Sequence, residues 1–523
     1  MEIPLSPMQF ARRARAVYPE REAVVDGSLR LTYRQFFERC DRWSSALQSM
    51  GIRKGDRVAY IAPNTHANLE GFYAIPQLGA VLVPINYRLI ADDFAYAIEH
   101  SGARVVCAHQ DYLEALDSIR SRIPNVELFV ALEGRKNGWL SYEEILATAS
   151  SVFDRPEISE TDLLTINYTS GTTSRPKGVM ITHRNAHLSA VGNMLHCHMS
   201  PADRYLWTLP MFHANGWTFV WIVTAVGGTH VCLSKVEPRA VFDLVRRESV
   251  TMLCAAPTVL ISIANAPEEV RANCPRGVRV LTAGAPPAAA TIGLVESQLG
   301  WEITHVYGAT ETAPLITISE PLPEHARLSH DERSQIKARQ GVEMITSGEL
   351  KVVDAAGNEV PHDGQTMGEI IVRGNVVMQG YYRDPEATAN AIRDGWYHLG
   401  DAAVVHADGY VEIRDRFKDV IISGGENISS VEVEGILLRH PAIQEVAVVG
   451  LPHAEWGEAP HAFVVLKEGA AVAEAELNGF SRERMAHFKV PKGFTFLAEL
   501  PKTATGKIQK FVLRGKRPAI TKQ

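Results

Sequence analysis

The chain has 523 residues, enough for two or more compact domains. Hydrophobic residues make up 46% of the chain and charged residues 22%, a balance typical of folded globular proteins that excludes extensive disorder. The net charge of -7 argues against a nucleic-acid-binding protein.

The first twenty residues lack the apolar core of a signal peptide, and no run of about 20 apolar residues follows. We therefore expect no membrane span and a cytoplasmic location. The six cysteines form no CxxC pair, which predicts free thiols in a reducing compartment.

Short β-rich runs alternate with helical segments over the first 310 residues. The helices predicted from amphipathic spacing include Tyr33–Met50 and Ala240–Glu248. The predicted strands are Arg57–Ile61, Ala80–Ile85, Arg104–Ala108, Glu127–Ala131, Tyr205–Leu209, His230–Leu233, Met252–Ala256, Arg279–Thr282 and Ile303–Tyr307. This alternation predicts α/β layers with largely parallel sheets.

The pattern changes after about Gly341. The runs Gly348–Asp354, Gly368–Arg373 and Gly409–Arg414 read as strands between Gly/Asp turns, which predicts a smaller β subdomain. Strand–helix alternation returns from Glu445. We therefore expect an N-terminal domain of layered α/β sheets plus a β subdomain over residues 1–416, and a small α+β domain over residues 417–523.

The strongest local motif is the segment Tyr168–Gly178, which combines hydroxyl side chains, two glycines, an arginine and a lysine. It follows the predicted strand Leu163–Tyr168 and precedes a helical run from about Arg184. Exposed N–H groups and hydroxyls can wrap phosphate oxygens while the cations supply opposing charge. No Ser or Thr follows Lys177, so this is not a Walker A loop. A flexible surface turn is the alternative.

A second motif, Tyr307–Thr312, comes directly after a predicted strand, where α/β sheets place ligands. Tyr307 could stack on a base, and Glu311 offers hard oxygen ligands suited to Mg²⁺. An ordinary turn with an exposed glutamate is the alternative.

A third motif runs from Trp396–Asp401 through Asp415–Asp419 to Ser423–Ile428. Asp401 could accept hydrogen bonds from ribose hydroxyls, as acidic residues do in nucleotide sites. The charges around Arg416 would equally suit a solvated linker.

The fourth motif, Pro501–Lys507, lies in a basic tail where residues 481–523 contain 11 Lys/Arg and 2 acidic residues. A lysine after Thr-Gly can sit on a tight turn and reach into a cleft. Solvated surface and contact with a polyanion both fit this charge.

The order and spacing of these four motifs resemble the adenylate-forming superfamily of acyl-CoA synthetases, peptide-synthetase adenylation domains and firefly luciferase. The resemblance covers nearly the whole chain, from Leu31–Tyr33 and Gly55–Val58 to Lys507. The stretches Pro210–Trp217, Lys337–Gly341 and Phe488–Lys492 look most like short- and medium-chain acid:CoA ligases, such as plant acyl-activating enzymes and methylmercaptopropionate:CoA ligases.

The resemblance implies a role for each matching residue and ATP bound between a large domain and a mobile C-terminal domain. The ATP- and AMP-binding residues would be Thr169, Ser170, Gly171, Thr172, Thr173, Lys177, Gly284, Ala285, Tyr307, Gly308, Asp401 and Arg416. The catalytic residues would be Lys507, Thr310, His213 and Glu311, with Glu311 holding Mg²⁺. The coenzyme A contacts would be Ser423, Gly424 and Gly425, and Lys418 would be the hinge.

The implied reaction activates a small carboxylic acid with ATP and Mg²⁺ and passes the acyl group to coenzyme A. The expected acid is short, medium, branched or small and ring-bearing, held by apolar walls that include Phe212, Trp217 and Ala309–Pro314. Four alternatives stay open: loading of a carrier protein, activation of long-chain fatty acids, an inactive nucleotide- or acyl-binding protein, and a luciferase-like oxygenase. A homodimer is expected only because twofold assemblies are common.

The sequence departs from the family pattern at two positions. Ser174 stands where many members have glycine, and its hydroxyl still suits a phosphate loop. Ile422 stands where members often have lysine, which weakens any expectation of a coenzyme A phosphate contact there.

Overall fold

The structure is a computed structural model that describes residues 2–169, 176–284, 289–417, 419–423, 426–453, 456–502 and 508–515. Within these ranges, the helices are all too short or too polar to cross a membrane.

The first part of the chain alternates strands and helices. Its strands are β1 (Glu22–Asp26), β2 (Leu29–Thr32), β3 (Arg57–Ile61), β4 (Val81–Pro84), β5 (Val105–Ala108), β6 (Leu128–Ala131), β7 (Leu140–Ser141), β8 (Leu163–Thr169), β9 (Lys177–Thr182), β10 (Arg204–Leu206), β11 (Thr229–Val231), β12 (Met252–Ala255), β13 (Arg279–Thr282), β14 (Glu302–Gly308), β15 (Leu315–Ile318) and β16 (Val342–Glu343). Its α-helices are α1 (Met8–Val17), α2 (Tyr33–Ser49), α3 (His66–Gln77), α4 (Ala91–Ser101), α5 (Leu113–Asp117), α6 (Tyr142–Thr148), α7 (His183–His196), α8 (Ala214–Trp217), α9 (Phe219–Val226), α10 (Pro238–Arg247), α11 (Pro257–Ala264), α12 (Glu268–Arg271), α13 (Ala289–Leu299) and α14 (His330–Ala338).

The rest of the chain contains more antiparallel structure. Its strands are β17 (Glu349–Val353), β18 (Gly368–Arg373), β19 (Gly380–Tyr381), β20 (Ile392–Arg393), β21 (Trp396–Val405), β22 (Val411–Arg416), β23 (Ile421–Ser423), β24 (Glu426–Ile428), β25 (Ile443–His453), β26 (Gly457–Leu466) and β27 (Gly493–Phe496). Its helices are α15 (Pro385–Ala391), α16 (Ser430–Leu437), α17 (Glu474–Arg482) and α18 (Lys510–Gly515).

Two large mixed sheets form the N-terminal domain. One has the order β16-β15-β14-β13-β12-β10-β11-β1-β2 and the other β19-β9-β8-β4-β3-β5-β6-β7. The pairs within β3, β4, β5 and β6 and within β10, β11, β12, β13 and β14 are parallel. The α/β prediction is therefore confirmed.

The main core contains both sheets' inner faces and the helices between them. Helix α3 is buried along nearly its whole length, and every residue of α9 is buried. The largest fully buried side chains include Trp43, Trp207 and Trp221. Helix α9 is apolar on every side, and such helices belong inside a protein rather than on its surface.

The predicted β subdomain is present as the sheet β17-β18-β21-β20, with β22 paired to β21. The predicted strands Arg57–Ile61, Arg279–Thr282 and Gly368–Arg373 have the bounds seen in the structure. Several strands were not predicted, and two of them lie beside or within the motifs. Strand β9 lies between the hydroxyl-rich segment and α7, and β21 runs through the Trp396–Asp401 motif.

A small C-terminal α+β domain follows the β subdomain. Its sheet has the order β24-β23-β26-β25 with β27 paired to β26, and it buries its own apolar cluster around Ile421, Val433 and Phe494. The chain passes from β22 to β23 between Arg416 and Ile421. The exact boundary at residues 416 and 417 stays a prediction.

Candidate active site

Two neighbouring parallel strands, β13 and β14, end side by side. Thr282 and His305 are the last paired residues of these strands. Gly284 and Tyr307 each follow two residues later, at the same end of the sheet. Gly284 has a φ of 93°, a left-handed backbone that favours glycine. The carboxyl ends of parallel strands are where α/β sheets hold ligands.

Gly308 is required by a close approach of backbone to backbone. A Cβ atom at this position would stand 1.9 Å from the carbonyl oxygen of Pro314 and 2.9 Å from the Cα of Leu315. Glycine therefore lets β14 turn directly into the segment that carries Thr310 and Glu311.

A single 3₁₀ turn, Thr310–Thr312, presents the next two predicted residues. The backbone N–H of Ala309 donates to the Thr312 hydroxyl at 3.0 Å, and that hydroxyl lies 2.8 Å from the carbonyl oxygen of Pro314. The N–H of Met378 donates to the carbonyl oxygen of Glu311 at 2.7 Å. The turn is thus held from both sides, while the side chains of Thr310 and Glu311 stay partly accessible.

Tyr307, Asp401 and Arg416 form one cluster, although 94 residues separate the first two. The Tyr307 hydroxyl donates to Asp401 Oδ2 at 2.5 Å, and Arg416 Nε lies 3.2 Å from Asp401 Oδ1. Asp401 is buried and Arg416 is half exposed. Strands β21 and β22 create the contact by pairing Asp401 with Arg416.

The charges of this cluster reinforce one another. Burial and the neighbouring Asp401 carboxylate raise the pKa of Tyr307 well above its usual value, so the phenol stays protonated. The Asp401 carboxylate raises the pKa of Arg416. The cluster thus offers a carboxylate between two donors, an arrangement able to accept hydrogen bonds from a sugar diol.

Sequence reasoning missed Tyr381, which joins two predicted groups. Its hydroxyl donates to Glu311 Oε1 at 2.9 Å, and Lys177 Nζ lies 4.7 Å from the centroid of its ring. Burial, followed by the Glu311 carboxylate, raises the pKa of Tyr381, so the hydroxyl remains a donor. Strand β19 brings it there by pairing Tyr381 with Val179 of β9. The Gly-Tyr-Tyr sequence at 380–382 has no periodicity that would have revealed this.

Strands β8 and β9 flank the hydroxyl-rich segment and pair with each other antiparallel. Thr169 and Lys177 are their last pair, and Lys177 lies beside Tyr381, which contacts Glu311. Ser170, Gly171, Thr172 and Thr173 lie outside the described residues.

His213 precedes an unusual stretch of backbone. The φ angles of residues 214–218 all lie between 37° and 68°, in the left-handed region. Such conformations cost energy in non-glycine residues and are held by their surroundings. Asn215 Nδ2 donates to Thr165 Oγ1 at 3.0 Å on β8, which ties this turn to the strand that ends in the hairpin. Trp217 is buried.

One of the predicted coenzyme A contacts lies in the described part of the chain. Ser423 is buried at the end of β23, where it pairs with Glu426 and Gly457. Other predicted site residues lie outside the described residues: Ala285, Lys418, Gly424, Gly425 and Lys507.

The carboxylate of Glu311 fits a Mg²⁺ ligand. It is partly accessible, and Tyr381 orients it by donating a hydrogen bond to Oε1. Hydrogen-bonded carboxylates are the usual protein ligands of this ion.

A partly buried tyrosine–aspartate–arginine cluster and an oriented glutamate at adjacent strand ends define a nucleotide-binding enzyme with a two-domain α/β architecture. The chain belongs to the AMP-binding enzyme family: the family model matches residues 10–382, and the model of the AMP-binding enzyme C-terminal domain matches residues 432–507.

Relatives and solved structures cover almost the whole chain. A 4-hydroxybutyrate–CoA ligase from Metallosphaera sedula is 42% identical over 98% of this chain and 95% of its own length. A 2-methylpropanoate–CoA ligase from Humulus lupulus is 41% identical over 98% and 95%. The crystal structure of an anthranilate CoA ligase in complex with anthranoyl-AMP superposes with a TM-score of 0.89 at 27% identity, covering 98% of both chains.

Proposed function

We propose that the protein is an AMP-forming acid:CoA ligase that works in two steps through an acyl-adenylate. The observation that carries the proposal is that the Tyr307–Asp401–Arg416 cluster and the Lys177–Tyr381–Glu311 chain meet at the end of β14, which carries Tyr307 and leads into Glu311. The Tyr307–Asp401–Arg416 cluster suits the binding of a nucleoside. The Lys177–Tyr381–Glu311 chain suits the binding of a polyphosphate and its cation. The CoA ligase names of full-length relatives support the same activity.

In the first step a carboxylate oxygen of the acid attacks the α-phosphorus of ATP, and the bond to pyrophosphate breaks. Two anions must meet, so fixed positive charge lowers the barrier. Lys507 would supply that charge at the acid's carboxylate, and Lys177 at the outer phosphates. Mg²⁺ bound by Glu311 would neutralise phosphate charge, while Asp401 and Arg416 hold the ribose and Tyr307 and Gly308 border the adenine.

In the second step the sulfur of coenzyme A attacks the carbonyl carbon, the bond to AMP breaks, and the thiol proton leaves to solvent. The same carbonyl must first face Lys507 and then a thiol. Rotation of the C-terminal domain about Lys418 would remove Lys507 from the carbonyl and open a path for the thiol in its place. Ser423, Gly424, Gly425 and His213 would line the thiol path.

The acid is proposed to be short to medium in length, branched, or small and ring-bearing. The buried side chains Phe212 and Trp217 beside the His213 turn favour an apolar acyl group of limited length. Relatives named for hydroxylated, branched and aromatic acids support that range.

The test measures pyrophosphate release and thioester formation with ATP, Mg²⁺, coenzyme A and single acids, from acetate to palmitate plus benzoate, as kcat/KM. We expect acid-dependent pyrophosphate release, coenzyme-A-dependent AMP release, and the highest kcat/KM among short, branched or ring-bearing acids. Pyrophosphate release without any coenzyme A dependence would refute the ligase and favour carrier loading, and a maximum at palmitate would refute the acid class.

The role of Lys507 is tested by separating the half-reactions. Lys507→Ala should reduce acyl-adenylate formation by about 10²–10³-fold, the usual cost of one charge-stabilising group, and largely spare transfer from supplied acyl-adenylate. Lys502→Ala is the matched control, because Lys502 lies in the same segment and pairs with Glu445 at a partly exposed site. Equal loss of both half-reactions in Lys507→Ala would contradict this role.

A further inference from the structure

A second cluster of chemically active side chains lies at the carboxyl ends of four other strands. Asp26 ends β1, His66 begins the helix that follows β3, His109 follows β5 directly, and Glu133 comes two residues after β6. Strands β3, β5 and β6 are parallel neighbours in one sheet, whereas β1 belongs to the other. The cluster therefore bridges the two large sheets at the edges where such sheets hold ligands.

Three of these residues have the spacing of a metal site. One ligand atom each from Asp26, His66 and Glu133 lies within 4.8 Å of the other two. Ligand atoms on a tetrahedral zinc ion stand about 3.4 Å apart, given bond lengths of about 2.0–2.2 Å. The ligand atoms would therefore have to approach one another by at most about 1.4 Å to share one ion.

The surrounding contacts orient these ligands. Asp26 Oδ2 accepts from the backbone N–H of His66 at 2.9 Å and lies 2.7 Å from His66 Nδ1. His109 Nε2 lies 3.3 Å from Glu133 Oε2. His109 Nδ1 lies 3.3 Å from both the backbone N and the carboxylate Oδ2 of Asp111, so the ring is held between Asp111 and Glu133. Hydrogen bonds from a second layer are what metal-binding histidines and carboxylates normally have.

The nearby carboxylate of Glu143 is already neutralised by Arg39. Glu143 Oε1 lies 3.6 Å from His66 Nε2, but Arg39 donates to both oxygens of Glu143 at 2.6 and 2.9 Å. Asp26 and Glu133 have no such arginine among their described contacts. A divalent cation would balance their two negative charges.

A cavity of about 600 Å³ borders the cluster on one side, where Glu133 and Glu143 line it. The side chain of Glu133 is 35% exposed, so an ion can reach it from solvent. Water or a small anion in this cavity could complete the coordination.

We propose that Asp26, His66 and Glu133 form a binding site for a divalent transition metal of the zinc type that joins the two sheets. One imidazole nitrogen with two carboxylate oxygens suits Zn²⁺, whereas Mg²⁺ and Ca²⁺ prefer oxygen ligands alone. The site is separate from the nucleotide cluster, since its residues come from other strand ends. It requires nothing of the proposed ligase activity.

The test is calorimetric titration of chelator-stripped full-length protein with Zn²⁺, without ATP or acid and with excess Mg²⁺ to occupy hard-cation sites. We expect one Zn²⁺ per chain and a Tm that rises with Zn²⁺ concentration. Glu133→Gln and His66→Asn should each weaken binding by at least 10–100-fold.

Glu144→Gln is the matched control, because Glu144 lines the same cavity and pairs with Arg135 at 2.6 Å. It should bind Zn²⁺ as wild type does. Circular dichroism and the metal-free Tm establish that each variant is folded, and Glu133→Gln is the milder change because Glu133 is partly exposed. The proposal is overturned if wild type shows no stoichiometric binding. It is equally overturned if Glu133→Gln and Glu144→Gln bind alike.

Discussion

Replacing Gly308 with alanine perturbs the junction between the adenine side of the proposed site and the Glu311 turn. The new Cβ would stand 1.9 Å from the carbonyl oxygen of Pro314, whereas real Cβ contacts are essentially never closer than 3.0 Å. Both neighbours are backbone atoms, so no side chain can rotate away. The strand and the turn must separate by about 1 Å.

A shift of this size has two separable consequences. Misplacement of catalytic groups by about 1 Å costs about 10²-fold in rate. Overpacking of a well-packed region costs about 1–3 kcal/mol, which a protein of this size survives folded. We therefore expect Gly308→Ala to remain folded while its kcat/KM for ATP falls by about two orders of magnitude.

The assay is acid-dependent pyrophosphate release at saturating Mg²⁺, with a thermal melt of the same sample. Gly479→Ala is the matched control, because a Cβ on that residue of helix α17 meets no atom within 4 Å. Alanine should stabilise that helix by about 0.5–1 kcal/mol and leave the rate unchanged. If folded Gly308→Ala retained the wild-type kcat/KM, the inference that the Gly308–Pro314 contact positions Glu311 would be wrong.

Three further changes test other contacts. Tyr381→Phe removes the hydroxyl that orients Glu311 but keeps the ring beside Lys177. We expect kcat/KM for ATP to fall about 10–100-fold and the Mg²⁺ concentration for half-maximal activity to rise. An unaltered Mg²⁺ dependence would contradict this. Lys510→Met removes the buried partner of Glu434, whose carboxylate lies 2.8 Å from Lys510 Nζ. The unpaired carboxylate should destabilise the C-terminal domain by about 3–5 kcal/mol, measured by hydrogen exchange of β25 and β26. Adding Glu434→Gln should restore part of the lost stability. Burial lowers the pKa of His183 to about 4, below the unfolded value of about 6.5. The unfolded state then binds more protons, so stability should fall as pH drops through 6.5 toward 4, by about 2 kcal/mol at pH 5. Denaturant unfolding at pH 7 and 5 should show a smaller pH effect in His183→Gln, and an equal effect would refute the assignment.

The resemblance carried by short motifs explains why so much could be predicted from sequence. Glycines, hydroxyls and charges at strand ends are local features. Their order along the chain can be read from the sequence without knowing how the segments pack. The predicted strands Arg57–Ile61 and Arg279–Thr282 were correct for a similar reason, because short buried parallel strands are continuous apolar runs.

Sequence reasoning failed where a contact depends on strand pairing between distant segments. Strand β9 was not predicted, because the sequence analysis placed only a motif and then a helical run from about Arg184 in this part of the chain. Its pairing with β8 joins Thr169 to Lys177, and its pairing with β19 brings Tyr381 to Lys177 and Glu311.

The sequence by itself determined the α/β class, the large and small domains, the family resemblance and the types of residue at the site. Only the tertiary structure decided which side chains meet: Asp401 with Tyr307 across 94 residues, and Asp26 with His66 and Glu133 across two sheets. The physical reason is that residue types and the spacing of hydrophobic residues are local properties of the sequence. Strand register and sheet order instead depend on packing between segments that are far apart in the chain.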